Sequence, residues 1–170
     1  MGARRHLSTR NRMEAYNGFS GKEREANGAE LRKAIKAGTV LAPKGPCSVC
    51  GDPLAKVEYH SEDYSRPYSW SPTAAYPVCL ACHRNKLHKR FANPEVWEAF
   101  AAHVRRGGYA SDLKQPETAQ ELQEYVEALK SGRVMQLHTL RAYQHSPGSE
   151  WWASLSSNIG GSHVTRERSL

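Results

Sequence analysis

The chain has 170 residues, 39% of them hydrophobic, with a mean hydropathy of −0.71, a net charge of +7 and a pI near 9.4. That length suits one domain with a small core. No apolar run approaches the ~20 residues that a membrane-spanning helix needs, and no hydrophobic stretch follows the Arg-containing N-terminus as it would in a secretory signal, so we expect a cytoplasmic protein with no membrane partner.

Basic residues concentrate in two parts of the chain. Residues 1–46 contain ten Lys or Arg against four acids, and residues 83–106 contain six against two. The stretch 51–78 is acidic by four to two. Basic flanks around a locally acidic centre suit a polyanion held over a cation-binding site, which predicts a nucleic-acid partner, in the first place DNA. A basic surface that is simply solvated remains the alternative.

The N-terminal part predicts an arm and a helix. Residues 1–19 are basic without periodicity, which indicates a flexible arm. Residues 20–46 predict a helix followed by a linker. The helix extends to about Gly38, because apolar residues recur three or four positions apart and two prolines follow.

Residues 47–91 alternate between short elements. An alternating pattern predicts a strand over 54–60, and a turn-rich stretch with two prolines follows. Residues 76–79 predict a return strand, and the residues from Cys82 or His83 to about 91 favour a helix. The predicted order is strand, loop, strand, helix, with cysteine pairs at both ends.

Two Cys-x-x-Cys pairs contain all four cysteines of the chain. Each pair places two thiolates on one turn, within reach of one ion at ~2.3 Å. Together they form a tetrahedral sulfur site, which selects zinc or iron–sulfur chemistry over hard cations. Disulfides would need an oxidising compartment, and a redox pair would need a βαβ setting; the sequence has no sign of either. We therefore predict a structural Zn²⁺ held by Cys47, Cys50, Cys79 and Cys82.

The pattern CxxCG, a strand ending in His, a Pro-containing loop and VCxxCHxxK resembles the HNH endonuclease family with its ββα-metal fold. The likeness covers residues 47–91, and YHSEDYSRP also resembles the HHxDYxKP segment of small HNH-like phage and bacterial proteins. The resemblance implies metal-dependent hydrolysis of DNA, with His60 as general base and His83 as a metal ligand. Matched to HHxDY, Ser61 stands at the second His, which would instead make His60 the ligand.

This chemistry is coherent for the residue types present. A neutral imidazole can take a proton from water that attacks phosphorus. We expect a second cation, Mg²⁺ or Mn²⁺, near His83. Asp63 is the favoured carboxylate ligand, with Glu58 and Glu62 as alternatives. Phosphate contacts are expected from the basic residues that follow the second cysteine pair: Arg84, Lys86, Lys89 and Arg90.

Residues 92–145 predict a helical extension. Asn93 followed by Pro is a typical helix start, and a Gly pair at 107–108 ends that helix. Thr118 with Glu121 predicts a capping box for a second helix, which Gly132 ends. Residues 133–145 are also expected to be helical.

Residues 146–170 are rich in Ser and Gly and predict a disordered tail, apart from Trp151 and Trp152. No small-molecule cofactor is indicated, and the oligomeric state is left open.

We expect an α+β protein, mostly helical overall, in which flanking α-helices surround a small zinc-clamped ββα-metal core. The first functional hypothesis is an HNH-type endonuclease. The second is a catalytically inactive zinc module that binds nucleic acid, and the third is a zinc-stabilised protein-interaction module.

Overall fold

The computed structural model describes residues 13–71, 74–142, 149–155 and 157. They divide into two compact units. The first contains the described residues of 13–42 and 61–75, and the second contains those of 43–60 and from 76 onward. The elements are helices and one small two-stranded sheet beside a cluster of four cysteines. A small α+β metal-binding domain is therefore the fold class that the structure supports.

Helix α1 (Gly21–Lys36) belongs to the first unit and confirms the helix expected there. Its start is a complete capping box: Glu23 N donates to Ser20 Oγ at 3.3 Å, and Ser20 N donates to a Glu23 carboxylate oxygen at 2.8 Å. Gly38 follows the helix with φ +75°, a conformation that favours glycine.

The N-terminal residues 13–19 form a turn in this same unit rather than a loose arm. Tyr16 and Phe19 pair through two backbone hydrogen bonds of 2.9 Å. The Arg24 guanidinium lies 5.3 Å from the Tyr16 ring and 5.5 Å from the Tyr64 ring. A single turn closed by aromatic rings has no periodicity, which is why the sequence pattern did not predict it. Residues 1–12 of the predicted arm lie outside the described part of the chain.

The sheet of the second unit is a hairpin of β1 (Val57–His60) and β2 (Tyr76–Cys79). The strands are antiparallel, with Val57 opposite Cys79 and His60 opposite Tyr76. The return strand was predicted with these bounds. The first strand is shorter than the predicted 54–60, because β2 has only four residues with which to pair.

A π-helix (Ala81–Lys86) and a 3₁₀ turn (Leu87–Lys89) follow β2 directly. The expectation of an ordinary helix over this stretch was therefore wrong in type. The Leu87 N–H donates to the carbonyl of Cys82, five residues earlier, which is the π-helical bond.

Helices α2 (Pro94–Arg105) and α3 (Pro116–Ser131) were both predicted. Two details differ. Asn93 makes no side-chain capping bond, and α3 starts at Pro116 in place of a capping box at Thr118. Proline at the first helical position needs no N–H partner and fixes φ for the helix, so it sets the start earlier.

Residues 133–142 are not helical, contrary to the sequence-based expectation for 133–145; positions 143–145 lie outside the described residues. The segment packs back on the helix ends. Leu140 N donates to Arg106 O at 2.9 Å, and the Arg141 guanidinium pairs with both Asp112 carboxylate oxygens at 2.8 Å. These tertiary bonds replace the helical ones.

A 3₁₀ helix (Ser149–Ser154) lies in the stretch expected to be disordered. Trp152 is 1% exposed and belongs to the hydrophobic core. That core also contains the four cysteines and the large apolar residues Val49, Val78, Leu87, Trp97, Phe100 and Val104. None of the helices in the described ranges is long and apolar enough to cross a bilayer.

Candidate metal centres

The four cysteines come together in the second unit as predicted. All are buried and free, and their sulfur atoms lie within 4.8 Å of one another. One pair precedes β1, and the other spans the end of β2 and the start of the π-helix. A metal such as zinc is the group that such a cluster suits, since four thiolates in tetrahedral reach form a structural zinc site.

Backbone amides support the sulfurs. Gly51 closes the first turn by donating to Cys47 O at 2.8 Å, with a φ of +73°. Cys79 N lies 3.2 Å from Cys47 Sγ, and Cys82 N lies 3.4 Å from Cys79 Sγ. N–H groups aimed at sulfur stabilise thiolate, the form that binds a metal.

The electrostatics of the cluster also favour a cation. Hydrogen bonding from Cys50 holds the pKa of Cys47 well below its usual value. Hydrogen bonding with Cys47, together with burial, raises the pKa of Cys82 well above it. Without a positive charge the four sulfurs cannot all ionise at such short range, whereas a bound Zn²⁺ would favour the thiolate at all four positions.

Three histidines form a second group in the same unit. One ligand nitrogen each from His60, His83 and His88 lies within 4.8 Å of the others. The ring centroids are 5.0 Å apart for His60–His83, 5.5 Å for His60–His88 and 4.4 Å for His83–His88. His60 is 1% exposed at the end of β1, and the other two are half-buried. The structure thus brings together two predicted site residues and one that was not predicted.

The π-helix explains why His88 joins the group. Residues five apart point in different directions on an α-helix, where positions i and i+4 share a face. A π-helical turn closes from i to i+5, and His88 follows it in the 3₁₀ turn, where its ring centroid lies 4.4 Å from that of His83. No sequence pattern of the chain indicated a π-helix, which is why His88 was not among the predicted metal ligands.

Glu58, which the sequence offered only as an alternative to Asp63 as a cation ligand, lies against His83. It lies two positions before His60 on β1, so both side chains emerge on the same face of the strand. Its Oε1 is 2.6 Å from His83 Nδ1, and Arg84 Nε and Nη2 lie 3.4 Å from its two oxygens. The hydrogen bond with His83, helped by Arg84, lowers the pKa of Glu58. The ionised carboxylate therefore accepts a hydrogen bond from the Nδ1–H of His83.

This bond leaves the other nitrogen of His83 ready to bind a ligand. Nε2 is buried and has no hydrogen-bond partner among the described residues. A buried polar atom without a partner is costly, of the order of 1–3 kcal/mol. A metal-binding histidine commonly donates its second N–H to a carboxylate, which orients the ring and makes it a better ligand. The donor set therefore fits a cation that prefers imidazole, namely a transition metal more readily than Mg²⁺.

Two of the three acids considered as cation ligands, Asp63 and Glu62, belong to the first unit, where both have partners. Asp63 Oδ1 accepts from Ser65 N at 2.7 Å and closes a turn. Glu62 accepts from Tyr16 Oη at 2.7 Å and from the Asn17 side chain at 3.1 Å. Asp63 as a cation ligand stays a prediction.

The four cations predicted to contact phosphate differ in exposure. Arg84 and Lys89 are exposed. Lys86 is half-buried with its Nζ 5.3 Å from the Phe100 ring, and burial lowers its pKa. Arg90 is only 2% exposed and packs over Phe91, which leaves it little surface to offer a phosphate.

No protein-family model, curated protein or solved structure matches the chain. The likeness to HNH endonucleases therefore rests on the motifs between residues 47 and 91, and the site must be judged by its own geometry.

Proposed function

We propose that the protein is a metal-dependent endonuclease of the HNH type that hydrolyses phosphodiester bonds of DNA. The observation that carries the proposal is the convergence of His60, His83 and His88 beside the cysteine cluster, with Glu58 bound to His83. A zinc-clamped hairpin and helix that carry a second, histidine-lined centre suit metal-assisted hydrolysis.

Each residue has a distinct part in this mechanism. His83 and His88 hold the cation, and Glu58 fixes the ring of His83 so that Nε2 is the binding nitrogen. His60 is the general base and takes the proton of the attacking water. The cation would supply charge stabilisation to the phosphate oxygens and to the leaving 3′ oxygen. Arg84 and Lys89, both exposed next to the centre in sequence, hold neighbouring phosphates.

Plasmid nicking by zinc-loaded protein tests this function. We expect cleavage that requires an added divalent transition metal and is lost in His60→Ala and His83→Ala. His138→Ala is the matched control, because His138 is exposed and its side chain has no part in the centre. Absence of cleavage by the folded wild-type protein with Mg²⁺, Mn²⁺, Ni²⁺, Co²⁺ and Zn²⁺ would contradict the proposal.

The second candidate is a catalytically inactive metal module that binds nucleic acid. The burial of His60, whose ligand nitrogen lies in the same group as those of His83 and His88, favours it, because a third ligand would leave no base. Cobalt affinity separates the two. If His60 is the base, His60→Ala keeps the affinity of the histidine centre and loses cleavage. If His60 is a ligand, the same substitution lowers the affinity.

A further inference from the structure

The C-terminal 3₁₀ helix (Ser149–Ser154) lies against the histidine centre. The indole of Trp151 stacks on the His60 ring with centroids 5.7 Å apart and an angle of 18° between the planes. It also stacks on Tyr76, at 4.0 Å and 14°. Because Tyr76 is the β-sheet partner of His60, Trp151 covers the end of the hairpin where the centre begins.

Trp152, the next residue along the chain, anchors Trp151 in place. Trp152 is 1% exposed within the core, and the Arg105 guanidinium carbon lies 5.8 Å from its ring. The two adjacent tryptophans differ in burial and in contacts: Trp152 lies within the core, whereas the half-buried Trp151 packs against the core and also stacks on the rings beside the centre. Substitution of Trp151 can therefore remove the ring stacking while Trp152 stays in the core.

Trp151 is held by ring packing without a hydrogen bond from its polar atom. Its Nε1 is buried and has no hydrogen-bond partner in the part of the chain that the structure describes. A buried indole N–H without an acceptor weakens the closed arrangement, since exposure to water would satisfy it. A ligand can therefore displace the Trp151 indole from its place beside His60.

A polymer has restricted access to a centre arranged in this way. His60 is 1% exposed and the His83 side chain 13% exposed, whereas hydrolysis needs a phosphate at hydrogen-bonding or ligand distance from these groups. We propose that Trp151 is an autoinhibitory cover of the histidine centre, which must leave His60 before metal and substrate gain full access. Its importance for cleavage rests on the proposed nuclease function, but the covering of the centre does not.

Entry of Co²⁺ into the full-length protein, with zinc already in the cysteine cluster, tests the cover directly. Cobalt bound to imidazole is followed by its visible absorption in stopped flow. For Trp151→Ala we expect an association rate at least about tenfold higher than that of the wild type. Trp151→Phe keeps a smaller stacking ring and should lie between the two. Glu150→Ala is the matched control, because Glu150 is exposed in the same helix.

Chemical modification of His60 by diethyl pyrocarbonate gives a second readout that needs neither metal nor cleavage. Labelling, read by peptide mass, should be faster in Trp151→Ala and unchanged in Glu150→Ala. If Trp151→Phe and Trp151→Ala both match the control in cobalt entry and in labelling, the cover is refuted.

Plasmid nicking separates this inference from the proposed function. Faster cobalt entry together with faster nicking supports both. Faster cobalt entry without nicking in any variant supports the cover and contradicts the nuclease.

Discussion

At the scale of single residues, Glu58 decides what His83 can do. An isolated imidazole interconverts between two tautomers, and only one of them presents Nε2 as an acceptor. The 2.6 Å contact with an ionised Glu58 selects that tautomer and fixes the ring plane. His83 is thereby prepared to bind a cation before the cation arrives.

Substitution of Glu58 should therefore weaken metal binding although every metal ligand stays in place. We expect Glu58→Gln to lower the Co²⁺ affinity of the histidine centre by about tenfold and Glu58→Ala by more, since loss of such a partner typically costs 10–100-fold. Titration calorimetry at pH 7 measures the change. Glu95→Gln, a half-buried acid on α2, serves as the control. Equal affinity of Glu58→Ala and wild type would show that the contact does not orient His83.

A different histidine should control stability against acid. His103 is 0% exposed, its Nδ1 accepts from Arg106 Nε at 3.0 Å, and burial lowers its pKa below the ordinary 6.5. The unfolded chain takes up this proton at a higher pH than the folded chain does. The free energy of unfolding should therefore fall as the pH drops below about 6.5. Urea unfolding between pH 7 and 5 measures the slope, which should flatten in His103→Gln and persist in His138→Gln.

At the scale of elements, the stretch from the π-helix through the 3₁₀ turn has two tasks. Its inner side supplies Cys82, His83 and His88 to the two centres. Its outer side presents Arg84 and Lys89 to solvent. Unusual helical geometry thus allows nine residues to carry metal ligands and exposed cations together, which one face of an α-helix of that length would not do.

Charge reversal on this element should weaken nucleic-acid binding. Lys89→Glu should reduce the affinity for a DNA duplex at low salt several-fold and lower the slope of log K against log [salt] by about one. Lys130→Glu is the matched control, because Lys130 is an exposed cation on α3. Fluorescence anisotropy at several salt concentrations gives both numbers. The same loss in both variants would indicate a general charge effect and not an interface at Lys89.

At the scale of the whole molecule, the cysteine cluster takes the place of a larger core. The four cysteines belong to the same buried cluster as Val78, Phe100 and Trp152, so metal ligation and apolar packing act on the same residues. A domain with a core this small typically needs a further crosslink, such as a structural metal ion.

Removal of zinc should therefore unfold the second unit. Because structural zinc binding contributes about 10–16 kcal/mol in zinc-finger peptides, most of the stability of a small domain, we expect chelation to abolish its cooperative thermal transition. Circular dichroism and metal analysis before and after chelation check this, and re-addition of Zn²⁺ should restore both. Cys47→Ser should behave like the chelated protein. An unchanged transition in metal-free protein would show that the cluster is not a structural metal site.

The sequence predicted the parts of this arrangement that are local. The cysteine cluster follows from two CxxC pairs, and the return strand and α2 follow from short patterns. The contacts that it did not predict depend on distant partners. His88 needed a π-helical turn, Glu58 needed the hairpin to bring it to a residue 25 positions later, and Trp151 needed a core that accepts Trp152. None of these conditions is encoded in the neighbouring residues.

The register of the hairpin sets a limit on how the chain can vary. Glu58 and His60 reach the centre because alternate residues of β1 share a face. Insertion or deletion of one residue within Val57–His60 would turn at least one of the two side chains to the opposite face. Changes of length in the connection 61–75 would leave the strand register as it is. We therefore expect relatives of this protein to differ in length between the strands and to keep the spacing of Glu58 and His60 unchanged.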